Sequence, residues 1–179
     1  MTATMSVVTR KVRGGAWRES PPARLAADAT FSGCRRYRYV LERHWDDALP
    51  AVLFIGLNPS TADEQADDPT VRRCIRFAQD WGYGSLLLAN LFALRSTDPK
   101  GLLDAADPVG RWNDRWLKRL ESRASLSIAA WGVHGTLRNR DRTVAARLVN
   151  LHCLGTTKDG HPRHPLYLRA DTLPRPFFA

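Results

Sequence analysis

Four short, uninterrupted apolar runs constrain this chain more than any other feature: AVLFIGLN at residues 51–58, SLLLANLFAL at 85–94, LSIAAWG at 126–132 and LHCLG at 151–155. A strand that is apolar at successive positions, without alternation, has both faces covered. Segments with helical spacing lie between the runs. Asp68-Pro69 is a cap followed by proline in the first turn, with Val71, Cys74, Ile75 and Ala78 on one face behind it and Gly82 and Gly84 as a stop. Asp98-Pro99 repeats that start for a short helix. Asp107-Pro108 leads into a longer one whose Trp112, Trp116 and Leu120 share a face, and residues 136–150 carry Leu137, Val144, Ala145 and Leu148 at helical spacing. Strands separated by helices need crossovers, and crossovers make neighbouring strands parallel. The expected fold is therefore α/β: three layers, α/β/α, around a central four-stranded, mostly parallel sheet.

Ahead of this pattern, Tyr37, Tyr39 and Leu41 alternate with Arg36, Arg38 and Val40, which reads as a strand with one basic face. Residues 1–30, with Gly14-Gly15 and Pro21-Pro22, read as a flexible basic lead-in. A chain of 179 residues suits one ordinary domain, so residues 31–179 are expected to form a single α/β unit. The tail after the fourth run is rich in Pro and His and shows no periodicity.

No apolar run is long enough to cross a bilayer, and the first residues lack the apolar stretch of a secretory signal. Three scattered cysteines, Cys34, Cys74 and Cys153, rule out a four-cysteine zinc or iron–sulfur site and suit a reduced, cytoplasmic setting. Basic residues outnumber acidic ones by 27 to 18, a net charge of +9, and 23 of the basic residues are Arg. Guanidinium groups form bidentate bonds to phosphate that ammonium cannot, so the balance points to DNA or a nucleotide as partner and away from a membrane. The alternative is that these charges are simply solvated.

In an open parallel sheet, working residues gather beyond the carboxyl ends of the strands. Four oddly punctuated segments fall there: GLNPSTAD, ANLFALRST, WGVHG and GTTKDGHPRHPLYL. In the first, Gly56 permits close backbone approach and Pro59 stiffens the turn, holding Asn58 nearly fixed beside Leu57 and Ser60. A fixed carboxamide can orient a water or bind a sugar but is no strong base. A turn asparagine closing its own loop is the other reading. Asn90 ends an apolar strand, where its amide needs partners and could match the edge of a nucleobase, or else tie neighbouring loops together. His161 and His164 each precede a proline, which suits donation to an oxygen that gains charge in a reaction. Their spacing and the lack of nearby ligands weigh against a metal, as does the reading of Asp63, Glu64, Asp67 and Asp68 as solvated or capping groups. Ser60 stands in no GxSxG setting and Cys153 sits inside an apolar strand, so neither reads as a nucleophile.

Taken in order, Gly56-Leu57-Asn58-Pro59, the strand ending at Asn90, Ala130-Trp131-Gly132 and His161-Pro162-Arg163-His164-Pro165-Leu166 resemble the motifs of the uracil-DNA glycosylase superfamily. Over most of the chain after residue 30, the phrases GLNPSTAD, DPTVRRC and LGTTKDGHPRHPLYL resemble a bacterial and phage family defined as a domain of unknown function, DUF1643. The glycosylase resemblance implies a fold of that superfamily and a site without cofactor or metal. It implies that Asn58 positions the attacking water, that Asn90 reads a flipped base, and that His161 or His164 stabilises the departing base. It also implies that Leu166 or Tyr167 fills the gap left in the stack, with Gly56, Leu57, Pro59, Ser60, Trp131 and Arg163 completing the binding surface. No aromatic residue follows the first motif closely, so Phe77, Trp81 or Phe92 is the expected stacking partner for the base.

Two functions follow as expectations. One is a glycosylase-like hydrolase that cleaves the N-glycosidic bond of an altered base in DNA or a nucleotide, in repair or modification. The other is a non-catalytic nucleic-acid or nucleotide-binding module of the same fold. A metal-dependent phosphohydrolase built on the acidic loop is a weaker third.

Overall fold

The computed structural model describes residues 26–63, 65–98 and 100–178. The lead-in up to residue 25, Glu64 and Pro99 lie outside the described residues. Among the described residues seven strands form one sheet: β1 (Ala26–Phe31), β2 (Arg38–His44), β3 (Ala51–Gly56), β4 (Ser85–Asn90), β5 (Leu126–Ala129), β6 (Leu151–Cys153) and β7 (Arg175–Pro176). Their spatial order is β1-β2-β4-β3-β5-β6-β7.

The four apolar runs supply β3, β4, β5 and β6, which pair in parallel as β4-β3-β5-β6. The expectation of a four-stranded, mostly parallel sheet is nevertheless corrected. The sheet is mixed, with antiparallel pairs β1–β2, β2–β4 and β6–β7 on its two flanks. Flanking strands escape a search for continuous apolar runs because an edge strand need not be covered on both faces, and an antiparallel neighbour needs no crossover helix. β1 begins at Ala26, inside the segment expected to be lead-in, and is held by its register against β2, from Ala26 opposite His44 onward.

Helices lie on both sides of the sheet: α1 (Pro69–Asp80) on one, and α2 (Lys100–Asp104), α3 (Asn113–Glu121) and α4 (Arg140–Ala145) on the other. The pleat sorts the strand residues between them. Val52, Phe54, Leu86, Leu88 and Ile128 pack with Val71, Cys74, Phe77 and Ala78 of α1. Leu53, Ile55, Leu87, Ala89 and Ala129 pack with Leu102, Leu117, Leu120 and Val144 of the other three. Each fully buried Leu, Ile or Phe contributes about 1.5–3 kcal/mol, so both layers are needed to hold the central strands. Among the described residues no helix is long and apolar enough to cross a membrane.

α1 starts as the sequence predicts. Asp68 is its N-cap, and its Oδ1 accepts from the Val71 N–H at 2.9 Å. The helix expected over 136–150 is shorter. A 3-10 segment, Val133–Asn139, precedes the six residues of α4, because Arg138 (φ 55°) and Asn139 (φ 52°) are left-handed and cannot carry a right-handed helix through. The Arg138 guanidinium donates to the carbonyls of Ala105 and Ala106, which helps to hold that break.

Because β3 leads to β4 on one side and the chain then returns to β5 on the other, strand order reverses at β3. Loops leaving β3 and β5 diverge there and open a crevice at the carboxyl edge of the sheet.

Candidate functional site

That crevice is a cavity of about 650 Å3. It receives residues from the ends of β3, β4 and β5, from the start of β2 and α1, and from the loop after β6. Of the residues singled out in the sequence, Gly56, Leu57, Asn58, Ser60, Asn90, Trp131, Arg163, His164 and Tyr167 line it. His161, Pro59 and Leu166 are not part of the lining. A larger surface groove of about 830 Å3, beside α4 and Phe177, contains none of the predicted residues.

Asn58 is fixed through its amide nitrogen, which donates to Ser96 O at 2.7 Å and Pro59 O at 3.1 Å. Both partners are carbonyls, so the orientation of the amide is determined and Oδ1 is left as an acceptor. Asn90 lies opposite Gly56 in the β3–β4 register. A Cβ at Gly56 would stand 2.7 Å from Asn90 Oδ1, so only glycine lets this amide lie across the end of β3. Asn90 is 4% exposed, and its Nδ2 has no partner among the described residues. Behind it, Asn113 Nδ2 donates to the carbonyls of Asn90 and Leu91 at 2.9 Å each, and Arg140 Nε donates to Leu91 O at 2.9 Å. The strand end is thus held from the rear while the amide at its front is unbonded.

Trp131 repeats the arrangement. Its indole is buried, its Nε1–H finds no acceptor among the described residues, and Phe177 meets the ring edge-on at 5.9 Å between centroids. Gly135 makes room for it, since a Cβ there would fall 2.2 Å from Trp131 Cδ1. The aromatic residues facing the cavity are thus Trp131 and Tyr167. Phe77, Trp81 and Phe92, expected as stacking partners, are elsewhere: Phe77 and Phe92 are core residues, and Trp81 stacks on Phe54 and Phe77 beneath α1. Each satisfies the apolar periodicity of its own element, and that burial takes it away from the strand ends.

The two histidines part company. His161 closes a tight loop through its backbone, its N–H donating to Thr157 Oγ1 at 3.2 Å and its carbonyl accepting from the Thr157 N–H at 2.8 Å. His164 caps the short 3-10 turn Pro165–Tyr167, with Nδ1 accepting from the Leu166 N–H at 3.4 Å. An accepting Nδ1 places the ring proton on Nε2. Burial lowers the His164 pKa below its ordinary value, opposed by the charge of Asp68, so the neutral donor form is favoured. Pro59 is buried in the turn, and Leu166 and Tyr167 are exposed, Tyr167 beside the His164 ring at 5.7 Å.

Several lining residues carried no functional signal in the sequence. Asp68, a helix cap and a member of the acidic loop in the sequence, brings the sole carboxylate among the described lining residues. Since α1 follows β3, its N-terminus must return to the carboxyl edge of the sheet, and that logic could have found it. Thr70 and Thr157 add hydroxyls. Arg38 was assigned to a basic strand face, yet it is 2% exposed and lines the cavity. No spacing rule separates a buried strand arginine from a solvated one. Among the described residues no three or more His, Cys, Asp or Glu gather as a metal site.

Residues 38–166 match the family described as protein of unknown function, DUF1643. The chain belongs to this family. The matched span contains every lining residue named above except Tyr167, which follows it directly. No curated protein and no solved structure matches the chain.

Proposed function

We propose that the cavity binds a nucleobase and that the chain is a glycosylase-like hydrolase, cleaving the N-glycosidic bond of an altered base in DNA or a nucleotide. The reading extends the uracil-DNA glycosylase resemblance to this site and takes the setting as cytoplasmic. The observation that carries it is the meeting of Asn58, Asn90, Trp131 and His164 around one cavity at the strand ends. Asn90 offers a free donor beside its acceptor, the pattern a heterocycle edge requires. Asn58 Oδ1 accepts a hydrogen from water and directs its oxygen at the sugar C1′. Asp68, which uses Oδ1 to cap α1, takes up the water proton with its other oxygen. As the C1′–N bond breaks, the bonding pair leaves with the base, and His164 Nε2–H donates to the atom that gains the charge. The products are a free base and an abasic sugar, and no cofactor takes part.

The test is incubation with oligonucleotides carrying uracil, hydroxymethyluracil or hypoxanthine and with the matching nucleotides, followed by mass analysis of released base. Release by the wild type that falls at least about a hundredfold in Asn58→Ala and His164→Ala supports the reading. Release unaffected by both variants overturns the assignment of roles.

A non-catalytic binding module is the second reading. It is favoured by the engagement of the Asn58 amide with two loop carbonyls, which also describes a purely structural turn. Binding of nucleotide or DNA without base release on any substrate decides for it.

A further inference from the structure

Three arginines are buried among the described residues, Arg38 and Arg43 at 2% exposure and Arg140 at 5%. Two are fully accounted for. Arg43 pairs with Asp67, through Nε at 2.9 Å and Nη2 at 2.8 Å, and donates to the carbonyls of Glu42 and Asp63. Arg140 pairs with Asp114 and donates to Leu91 O. Such guanidiniums hold the protein together and ask nothing of a ligand.

Arg38 differs. Nη1 donates to Ala62 O, and among the described residues Nε has no partner and no carboxylate lies within ion-pair distance. Asp68 and Asp63 act on it only at longer range, and the like charges of Arg95 and Arg43 oppose them. Burial pushes its pKa down to about 10, the mark of a cation short of counter-charge. A buried guanidinium is normally paired, and this one is part of the cavity wall.

We propose that Arg38 anchors a phosphate of the cavity's ligand, so that the site takes a phosphorylated nucleotide unit in preference to a free base or nucleoside. The proposal rests on the reading of Asn90 and Trp131 as a base site and adds the group that lies beside the base. The fork of N–H donors in guanidinium matches a phosphate oxygen pair. Arg163 brings a second guanidinium to the wall, its Nε held by Thr156 O at 3.1 Å, and Asp68 brings one carboxylate. Two cations against one carboxylate suit a single phosphate and disfavour a di- or triphosphate. The phosphate is the 5′-phosphate of a mononucleotide or a backbone phosphate beside an extruded base; the chemistry is shared and the experiment separates them.

The experiment is titration calorimetry on the full chain with dUMP, dTMP, dCMP, dAMP and dGMP, with the five matching nucleosides, with inorganic phosphate, and with single-stranded pentanucleotides of the same bases. For the preferred base, the nucleotide is expected to bind at least about tenfold more tightly than its nucleoside, with phosphate competing. Arg38→Gln is expected to bring the two within about twofold. If the pentanucleotide shows the Arg38-dependent gain and the mononucleotide does not, the phosphate comes from the chain. In that case Arg38→Gln also reduces the slope of log affinity against log salt by about one. Should Arg38→Gln fail to fold, phosphate competition on the wild type decides, with Arg38→Lys as the charge-keeping variant. Equal affinity for nucleosides and nucleotides, with no competition by phosphate, overturns the proposal and leaves the base site standing. Arg38-dependent phosphate preference without base release on any substrate sustains the proposal and removes the hydrolase.

Discussion

Arg38 and Arg43 lie five residues apart on β2, equally buried, yet they belong to different kinds of surroundings. Arg43 has its donors answered: Asp67 pairs with it and two carbonyls take its remaining donors. Arg38 belongs to the cavity wall, where it, Asn90 and Trp131 each carry a buried nitrogen without a partner among the described residues. A folded chain rarely tolerates such groups, since each unanswered donor costs about 1–3 kcal/mol. Of the six such atoms among the described residues, three fall on this one wall, while those of Arg73, Arg95 and Asn113 lie on residues outside it.

The sharpest way to break this contrast is to remove the two arginines in turn. Arg43→Met strands Asp67 and two carbonyls, and is expected to cost about 2–4 kcal/mol. Arg38→Met removes a charge that has no ion pair and is expected to change stability by less than about 1 kcal/mol, in either direction. Urea melts followed by far-UV circular dichroism measure both. Equal losses would erase the distinction on which the phosphate proposal depends.

Next comes the support behind the wall. Asn113→Ala leaves the carbonyls of Asn90 and Leu91 without their shared donor, for an expected loss of about 1–3 kcal/mol in the same melts. Asn113→Asp is the informative companion, because it keeps the shape and replaces the donating nitrogen by an acceptor. It should be at least as damaging as alanine. Stability unchanged in both variants would show that the strand end needs no rear brace.

Gly56→Ala probes the front. Its Cβ meets Asn90 Oδ1 at 2.7 Å and must displace the amide. Overpacking of this size costs about 1–3 kcal/mol, but the larger effect is expected in nucleotide affinity, measured by calorimetry on the folded variant. Affinity equal to wild type would show that Asn90 does not touch the ligand.

How much of this was visible beforehand follows from the same contrast. The central strands were legible because double-sided burial writes itself as unbroken apolar runs, as in Val52–Ile55 and Leu86–Ala89. The start of α1 was legible because Asp68 and Pro69 are local chemistry. β1 and β7 were not, since edge strands carry no such imprint, and the end of the helix before β6 was hidden by left-handed Arg138 and Asn139. Of the cavity lining, Asn58, Asn90 and Trp131 were legible because each ends or follows an apolar run, and His164 because it lies in the proline-rich loop after the fourth run. Arg38 could not be, because burial of a charge is decided by distant residues such as Ala62. Which of His161 and His164 reaches the cavity wall is a question of loop path: Thr157 draws the His161 backbone into a turn, and His164 lines the cavity.

The smallest expected effect concerns His164, where wall and scaffold meet in one side chain. Burial lowers its folded pKa, while in the unfolded chain it titrates near its ordinary value of about 6.5. Between those two values the unfolded state binds more proton than the folded one, so stability rises with pH there. The contribution is complete above the unfolded value and is lost as pH falls through the folded one. Thermal melts at pH 7.5 and 5.5 should therefore show a larger drop for wild type than for His164→Asn, whose amide oxygen still accepts from the Leu166 N–H but does not titrate. An equal drop in both would mean that the imidazole is not held neutral, and the donor at Nε2 would lose its physical basis.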